Sequence, residues 1–138
     1  MPTSIVQWLD QVPDLLTLSR SDPEAFPFLL ESAARGPLGR HSILFFAEGP
    51  ALIARRGRGL IGPGEGDGFF DRLDSWFRQE AQPAAEAPAS LPFSGGWFLY
   101  LGYEMAAEIE PTLDLPAARE GLPDAIAQRC PGAIIIVH

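Results

Sequence analysis

The sequence contains no lysine. All ten basic residues are arginines, and against 18 acidic side chains they leave a net charge of −8. An acidic surface repels nucleic acid and anionic membranes unless a local basic patch intervenes, so neither is expected as a partner. Cysteine is nearly absent too. The single Cys130 excludes an internal disulfide and fits a reducing compartment, which makes a cytoplasmic location the expectation. Histidine occurs only at positions 41 and 138, at opposite ends of the sequence and without Cys/His spacing around either, so no metal site is expected. No apolar run reaches the roughly 18 residues of a membrane span. No basic stretch followed by an apolar core opens the chain, so no signal peptide is expected. The hydrolase elbow G-x-S-x-G is also missing.

What is present is enough apolar material for one domain with its own core. Hydrophobic residues make up 46% of 138 positions and charged residues 20%, a balance that argues against disorder. No internal repeat is visible. Ile5 to Leu9 reads as a short first strand, and Pro13 to about Arg20 as a helix with proline in its first turn, stopped by Asp22-Pro23. Phe26 to Glu31 reads as a strand, placed at an edge by Pro27, and residues 33 to 41 as a Gly/Pro loop. Ser42–Ala47 and Ala51–Arg55, joined by Glu48-Gly49-Pro50, read as a hairpin. Gly59–Ile61 follows as a third antiparallel strand. After it, Phe69, Phe70, Leu73, Trp76 and Phe77 fall on one helical stripe. Asp67 is the expected N-cap of that helix, and Asp74 and Arg78 an i,i+4 pair.

Residues 81 to 90 read as a Pro/Ala linker. The stretch from Leu91 to Glu104 reads as an aromatic-rich strand with two glycines near its start, a turn of helix over Glu104–Glu108 comes next, and a second loop spans 111 to 123. Strands close the chain near 124–129 and 133–138. The last of these, with its β-branched run Ile134–Val137, reads as a strand covered on both faces, and the chain reads as the front part of a longer protein. Hairpins outnumber helices, so the fold class is α+β with antiparallel sheets.

Few side chains promise chemistry. Gly62-Pro63-Gly64-Glu65-Gly66-Asp67-Gly68 sits between a strand and a helix, where phosphate loops occur. It lacks the Gly-Lys-Ser/Thr ending and puts two carboxylates where a phosphate would be, so it reads as a surface loop. Arg55-Arg56-Gly57-Arg58-Gly59 is the one basic cluster, and without interleaved aromatics it reads as a hairpin turn. Cys130, before Pro131 in an apolar segment, reads as a packed, inert thiol. Glu108/Glu110 and Asp71/Asp74 read as solvated faces.

Three segments carry more when taken together. Pro92-Phe93-Ser94-Gly95-Gly96-Trp97, running on to Leu101-Gly102-Tyr103-Glu104, follows Phe28-Leu29-Leu30-Glu31-Ser32 and Arg40-His41-Ser42-Ile43 in the chain. Their order and spacing resemble the "P-F-x-G-G … G-Y-[DE]", "LLES" and "G-R-[YF]-[SD]-[IF]" elements of the N-terminal domain of the anthranilate synthase component I family. That family includes aminodeoxychorismate (para-aminobenzoate) synthase component I. The resemblance covers about residues 26 to 138, with Leu122-Pro123-Asp124 and the closing strand matching its next segment. Two positions depart from it: His41 stands where the family usually has an aromatic, and Ala106-Ala107 replaces the residues usual after G-Y-[DE].

The resemblance implies a fold: antiparallel sheets packed as a sandwich with a few flanking helices, in a single domain over residues 1–138. It implies a tryptophan pocket in which Ser32 meets the ligand's amino or carboxylate group, while Leu38, Gly39, Arg40 and His41 wall the indole. Gly95, Gly96, Gly102, Tyr103 and Glu104 would be structural, and no catalytic residue is expected in this part. The chorismate-binding, Mg²⁺-dependent half of such proteins lies C-terminal to this domain, and a glutamine amidotransferase subunit supplies ammonia. The Glu108-Ile109-Glu110-Pro111 continuation is closer to the aminodeoxychorismate synthase branch, which serves para-aminobenzoate and folate biosynthesis. Anthranilate synthase, inhibited by tryptophan, is the second reading. A free-standing ligand-binding or interaction domain is a third.

Overall fold

The structure, a computed structural model, describes residues 4–83, 88–116, 119 and 121–138. It is α+β with antiparallel sheets, and the chain forms two compact units. The first unit comprises Met1–Glu48, Gln82–Trp97 and Arg129–His138. The second comprises Gly49–Ala81 and Phe98–Gln128.

In the first unit, helix α1 (Leu15–Ser21) starts at Asp14, whose carboxylate accepts the Thr17 N–H at 3.0 Å. An aspartate there satisfies one of the orphan donors of the first turn. Pro13 therefore precedes the cap rather than occupying the first turn. The helix ends at Asp22, as the Asp-Pro step requires, and the Ser19 hydroxyl donates to the Phe26 carbonyl at 2.8 Å. That bond ties α1 to the segment leading into strand β1 (Phe28–Leu30), an edge of a three-stranded antiparallel sheet. The sheet continues through β2 (His41–Phe46) to β7 (Gly132–Val137), in the order β1-β2-β7. Leu44 of β2 is fully buried, and Phe45 is buried with its ring edge-on to Phe93, centroids 5.0 Å apart. Alternation along β2 thus buries residues on both sides of the strand.

In the second unit, β3 (Leu52–Arg55) and β4 (Gly59–Ile61) form a hairpin whose turn runs Arg55–Arg58, with Gly57 at φ +77°. The sheet order is β4-β3-β6-β5, where β5 is Gly96–Leu101 and β6 is Ala125–Cys130. Leu52 pairs with Ala127 and Ala54 with Ala125, and all four are buried. Helix α2 (Phe69–Glu80) packs against β3 and buries Phe69 and Trp76. Full burial of a phenylalanine such as Phe69 contributes about 1.5–3 kcal/mol. A 3₁₀ turn (Tyr103–Met105) leads directly into the short helix α3 (Ala106–Ile109).

Several sequence expectations need correction. Ser42–Ala47 and Ala51–Arg55 do form strands, but they do not make a hairpin: β2 joins one sheet and β3 the other. Glu48-Gly49-Pro50 is a passage between sheets, and Glu48 N–H bonds the Arg129 carbonyl at 3.2 Å instead of closing a turn. Ile5–Leu9 is not a strand, and Ile5 and Trp8 are exposed. Strand β7 lies at the edge of its sheet among the described residues and is half-buried, not covered on both faces. Its β-branched residues favour the extended backbone whether or not both faces are packed. The N-cap of α2 is Gly68, not Asp67. Within the linker read at 81–90, residues 84–87 lie outside the described residues, as do 117, 118 and 120 of the second loop.

Candidate functional site

A hydrogen-bonded polar cluster of the first unit is built where β1 gives out and β2 begins. After Leu30 the chain leaves the sheet, loops through residues 31–40 and re-enters at His41. The loop closes tightly: Gly39 N–H donates to the Gly36 carbonyl at 3.1 Å, and Gly39 is buried against the Ala34 backbone carbonyl. A Cβ at position 39 would collide with that carbonyl, so glycine is required there by close approach and not by a left-handed φ.

Across the mouth of this loop the Ser32 hydroxyl donates to the His41 carbonyl at 2.6 Å. The Ser32 N–H donates to Ser42 Oγ at 3.1 Å. Ser42 is only 3% exposed, and its Oγ lies 2.8 Å from His138 Nε2. The His138 N–H in turn donates to the Arg40 carbonyl at 2.8 Å. The antiparallel register that sets His41 opposite Val137 and Ser42 opposite Ile136 delivers His138 to this spot. The two histidines, farthest apart in sequence terms, are therefore neighbours in the fold.

Of the residues read as a tryptophan pocket, the structure brings together Ser32, Gly39, His41 and the Arg40 backbone. Leu38 stands apart, 97% exposed, and the Arg40 side chain is exposed. Sequence reasoning missed Ser42 and His138. Their signal lay in the pairing of the SILFF and AIIIV runs, which places position 138 beside position 40 once the strands are aligned antiparallel.

The glycines of the resemblance play distinct parts. Gly95 and Gly96 have φ +101° and +145°, and a Cβ on Gly95 would come within 3.2 Å of the Pro131 carbonyl. In the second unit, Gly102 has an ordinary φ of −68°, but its N–H donates to the Asp124 carbonyl at 2.7 Å and a Cβ would lie 2.9 Å from that oxygen. Tyr103 is exposed and Glu104 half-buried. Cys130 is a buried free thiol. Arg129 lies over the Trp97 ring at 5.4 Å, within cation–π range.

Among the described residues no three His, Cys, Asp or Glu side chains gather as a metal-ligand group, and no helix is long and apolar enough to cross a membrane. No protein-family model matches the sequence, and no curated protein matches it either.

Proposed function

We propose that this chain is the N-terminal, tryptophan-pocket domain of an aminodeoxychorismate synthase component I. In that reading its antiparallel sheets form the sandwich of the family's N-terminal domain. The parent protein converts chorismate and ammonia into 4-amino-4-deoxychorismate, with ammonia from a glutamine amidotransferase subunit. The observation that carries the reading is the union of two motif segments. The end of Phe28–Ser32 and the start of Arg40–Ile43 are tied by hydrogen bonds of 2.6 and 3.1 Å. A loop pinned at both ends is how a binding edge is pre-organised. The positive φ of Gly95 and Gly96 also supports the reading, because it gives a physical need to the paired glycines of the third motif.

Chorismate chemistry belongs to the C-terminal half of such proteins and to Mg²⁺ held there. The described residues offer no donor set for that ion, and no reaction step is assigned to them. The domain's part is to bind tryptophan and to pack against the catalytic half.

The test is calorimetric titration of tryptophan into the chain, wild type against Ser32→Ala. Removing a hydrogen bond to a charged ligand group should weaken binding by about tenfold or more. Absence of tryptophan binding by the wild-type chain would overturn the pocket reading. Chorismate turnover by this chain with Mg²⁺ and ammonia would overturn its assignment as a non-catalytic domain.

A further inference from the structure

We propose that His138 is a positioning residue for this site: acting through the buried Ser42 hydroxyl it fixes Ser32, whose Oγ then faces a ligand only as a hydrogen-bond acceptor. The ligand group that meets Ser32 is therefore a donor, such as a protonated amine, and not a carboxylate. The first half stands on the geometry alone; the second rests on the proposed function.

Counting protons assigns each role. A serine hydroxyl has one proton to give and two lone pairs. Ser32 gives its proton to the His41 carbonyl at 2.6 Å, so what remains at its Oγ can only accept. Ser42 Oγ accepts the Ser32 N–H. Its own proton then needs an acceptor, and among the described residues the partner within reach is His138 Nε2 at 2.8 Å. Nε2 must therefore be the unprotonated nitrogen, which puts the imidazole proton on Nδ1. The opposite tautomer would leave a buried O–H with nothing to donate to, since Ser42 is 3% exposed. The backbone adds a second tie, His138 N–H to the Arg40 carbonyl. Both ends of the 31–40 loop are thus anchored to the end of β7: Ser32 through Ser42, and Arg40 directly.

Without the imidazole, the Ser42 hydroxyl loses its acceptor, and nothing then holds the side chain in the rotamer that receives the Ser32 N–H. The loop mouth would loosen while the sheet stayed intact. A glutamine at 138 keeps a carbonyl oxygen able to accept from Ser42, so it should restore what alanine loses.

Two measurements need no ligand. Imidazole ¹⁵N shifts should show His138 as the Nδ1–H tautomer, with Nε2 unprotonated. A dominant Nε2–H tautomer would overturn the relay. Hydrogen exchange at the Ser32 amide should accelerate about tenfold in His138→Ala, the equivalent of one modest hydrogen bond, and return toward wild type in His138→Gln. Unchanged exchange in His138→Ala would overturn the positioning role. If that variant fails to fold, the wild-type tautomer still decides.

The ligand's polarity is read by comparing tryptophan with indole-3-propionate, which lacks the amine, and tryptamine, which lacks the carboxylate. Ser32→Ala should weaken tryptophan and tryptamine by about tenfold and leave indole-3-propionate unchanged. A loss confined to tryptophan and indole-3-propionate would mean that Ser32 meets the carboxylate, and the acceptor assignment would fall. If wild type binds none of the three, the tryptophan-pocket reading fails, while the tautomer and exchange results still judge the relay.

Discussion

Helix α1 carries its cap beside it, whereas α2 borrows one from a distant part of the chain. At α1 the Asp14 carboxylate reaches the Thr17 N–H three residues on. At α2 the cap position is Gly68, which has no side chain to offer, and the Phe70 N–H is satisfied by Glu108 Oε1 at 2.8 Å, 38 residues away. The glycine makes this possible, because a Cβ at 68 would sit 2.6 Å from that carboxylate oxygen. The loop before α2 follows the same logic. Its Glu65 N–H donates to Ser75 Oγ at 2.7 Å, the Arg72 guanidinium donates to the Gly66 carbonyl at 3.1 Å, and Gly62 and Gly64 lie against the backbones of Ala51 and Arg72. The difference separates structure dictated by neighbours in sequence from structure dictated by neighbours in space.

The largest expected effect breaks the second kind. Gly64 has φ +88°, and a Cβ there would strike the Arg72 carbonyl in the first turns of α2. Gly64→Val combines backbone strain with a collision that neither backbone can avoid, and should cost more than about 3 kcal/mol in chemical denaturation. Gly36→Ala is the control from the other loop: φ is +109° but open space surrounds the new methyl, so only the strain of about 1–3 kcal/mol should remain. Equal losses in the two variants would mean that close approach adds nothing at Gly64.

That distinction also explains what could be read in advance. The α1 cap, the Asp74–Arg78 pair (2.9 Å in the structure) and the apolar stripe of α2 depend on residues within a few positions of one another. The pair and the stripe were legible, although Phe77 at the end of the stripe is exposed. The α1 cap was not, because Pro13 reads as a first-turn residue and draws the start of the helix ahead of Asp14. Asp67 was the reasonable cap by local rules, and it lost to Gly68 because Glu108 arrives from α3, where the sequence suggests only a solvated face. The hairpin expected around Glu48-Gly49-Pro50 failed for a similar reason. Turn chemistry says that the chain reverses, not that the two strands pair, and β2 found its long partner in β7 instead. Ser32 and residues 38–41 were singled out through the resemblance, and the structure brings all of them but Leu38 to one loop mouth. Ser42 and His138 were missed, because their meeting depends on that same β2–β7 pairing.

A smaller effect sharpens the comparison within the paired glycines. At Gly96 the left-handed φ of +145° is the main obstacle, since the nearest atom to a new Cβ is a Phe93 ring carbon at 3.7 Å. Gly96→Val should cost about 1–3 kcal/mol, and Gly95→Val more, because its Cβ also crowds the Pro131 carbonyl. A Gly96→Val protein with an unchanged denaturation midpoint would remove the strain argument for that glycine. Smaller again is the borrowed cap. Glu108→Ala should lower stability by about 1 kcal/mol, the usual worth of an N-cap acceptor, and the Phe70 amide should exchange faster. Unaltered exchange at Phe70 would show that the 2.8 Å contact contributes nothing in solution.

The smallest expected effect lies at the local cap and is a matter of pH. Hydrogen bonding to Thr17, first its backbone N–H and then its side chain, holds the Asp14 carboxyl below its ordinary value of 3.8. A carboxyl whose folded value is depressed adds stability that is fully present above its unfolded value and is lost as pH falls through the folded one. The α1 cap should therefore be intact at neutral pH and should open only below about pH 3.8, the ordinary value. Because Asp14 is exposed to solvent, the change should appear as fraying of the first turn and not as unfolding. The Glu110 carboxyl is also held low, by Thr112, and will titrate in the same acidic range, so a global probe cannot separate the two. The Thr17 amide can. Its proton shift should move with the titration of Asp14 in the wild-type chain and stay flat in Asp14→Asn, which retains an acceptor oxygen but has no proton to gain. A Thr17 shift that titrates identically in both proteins would break the link between this carboxylate and the start of α1.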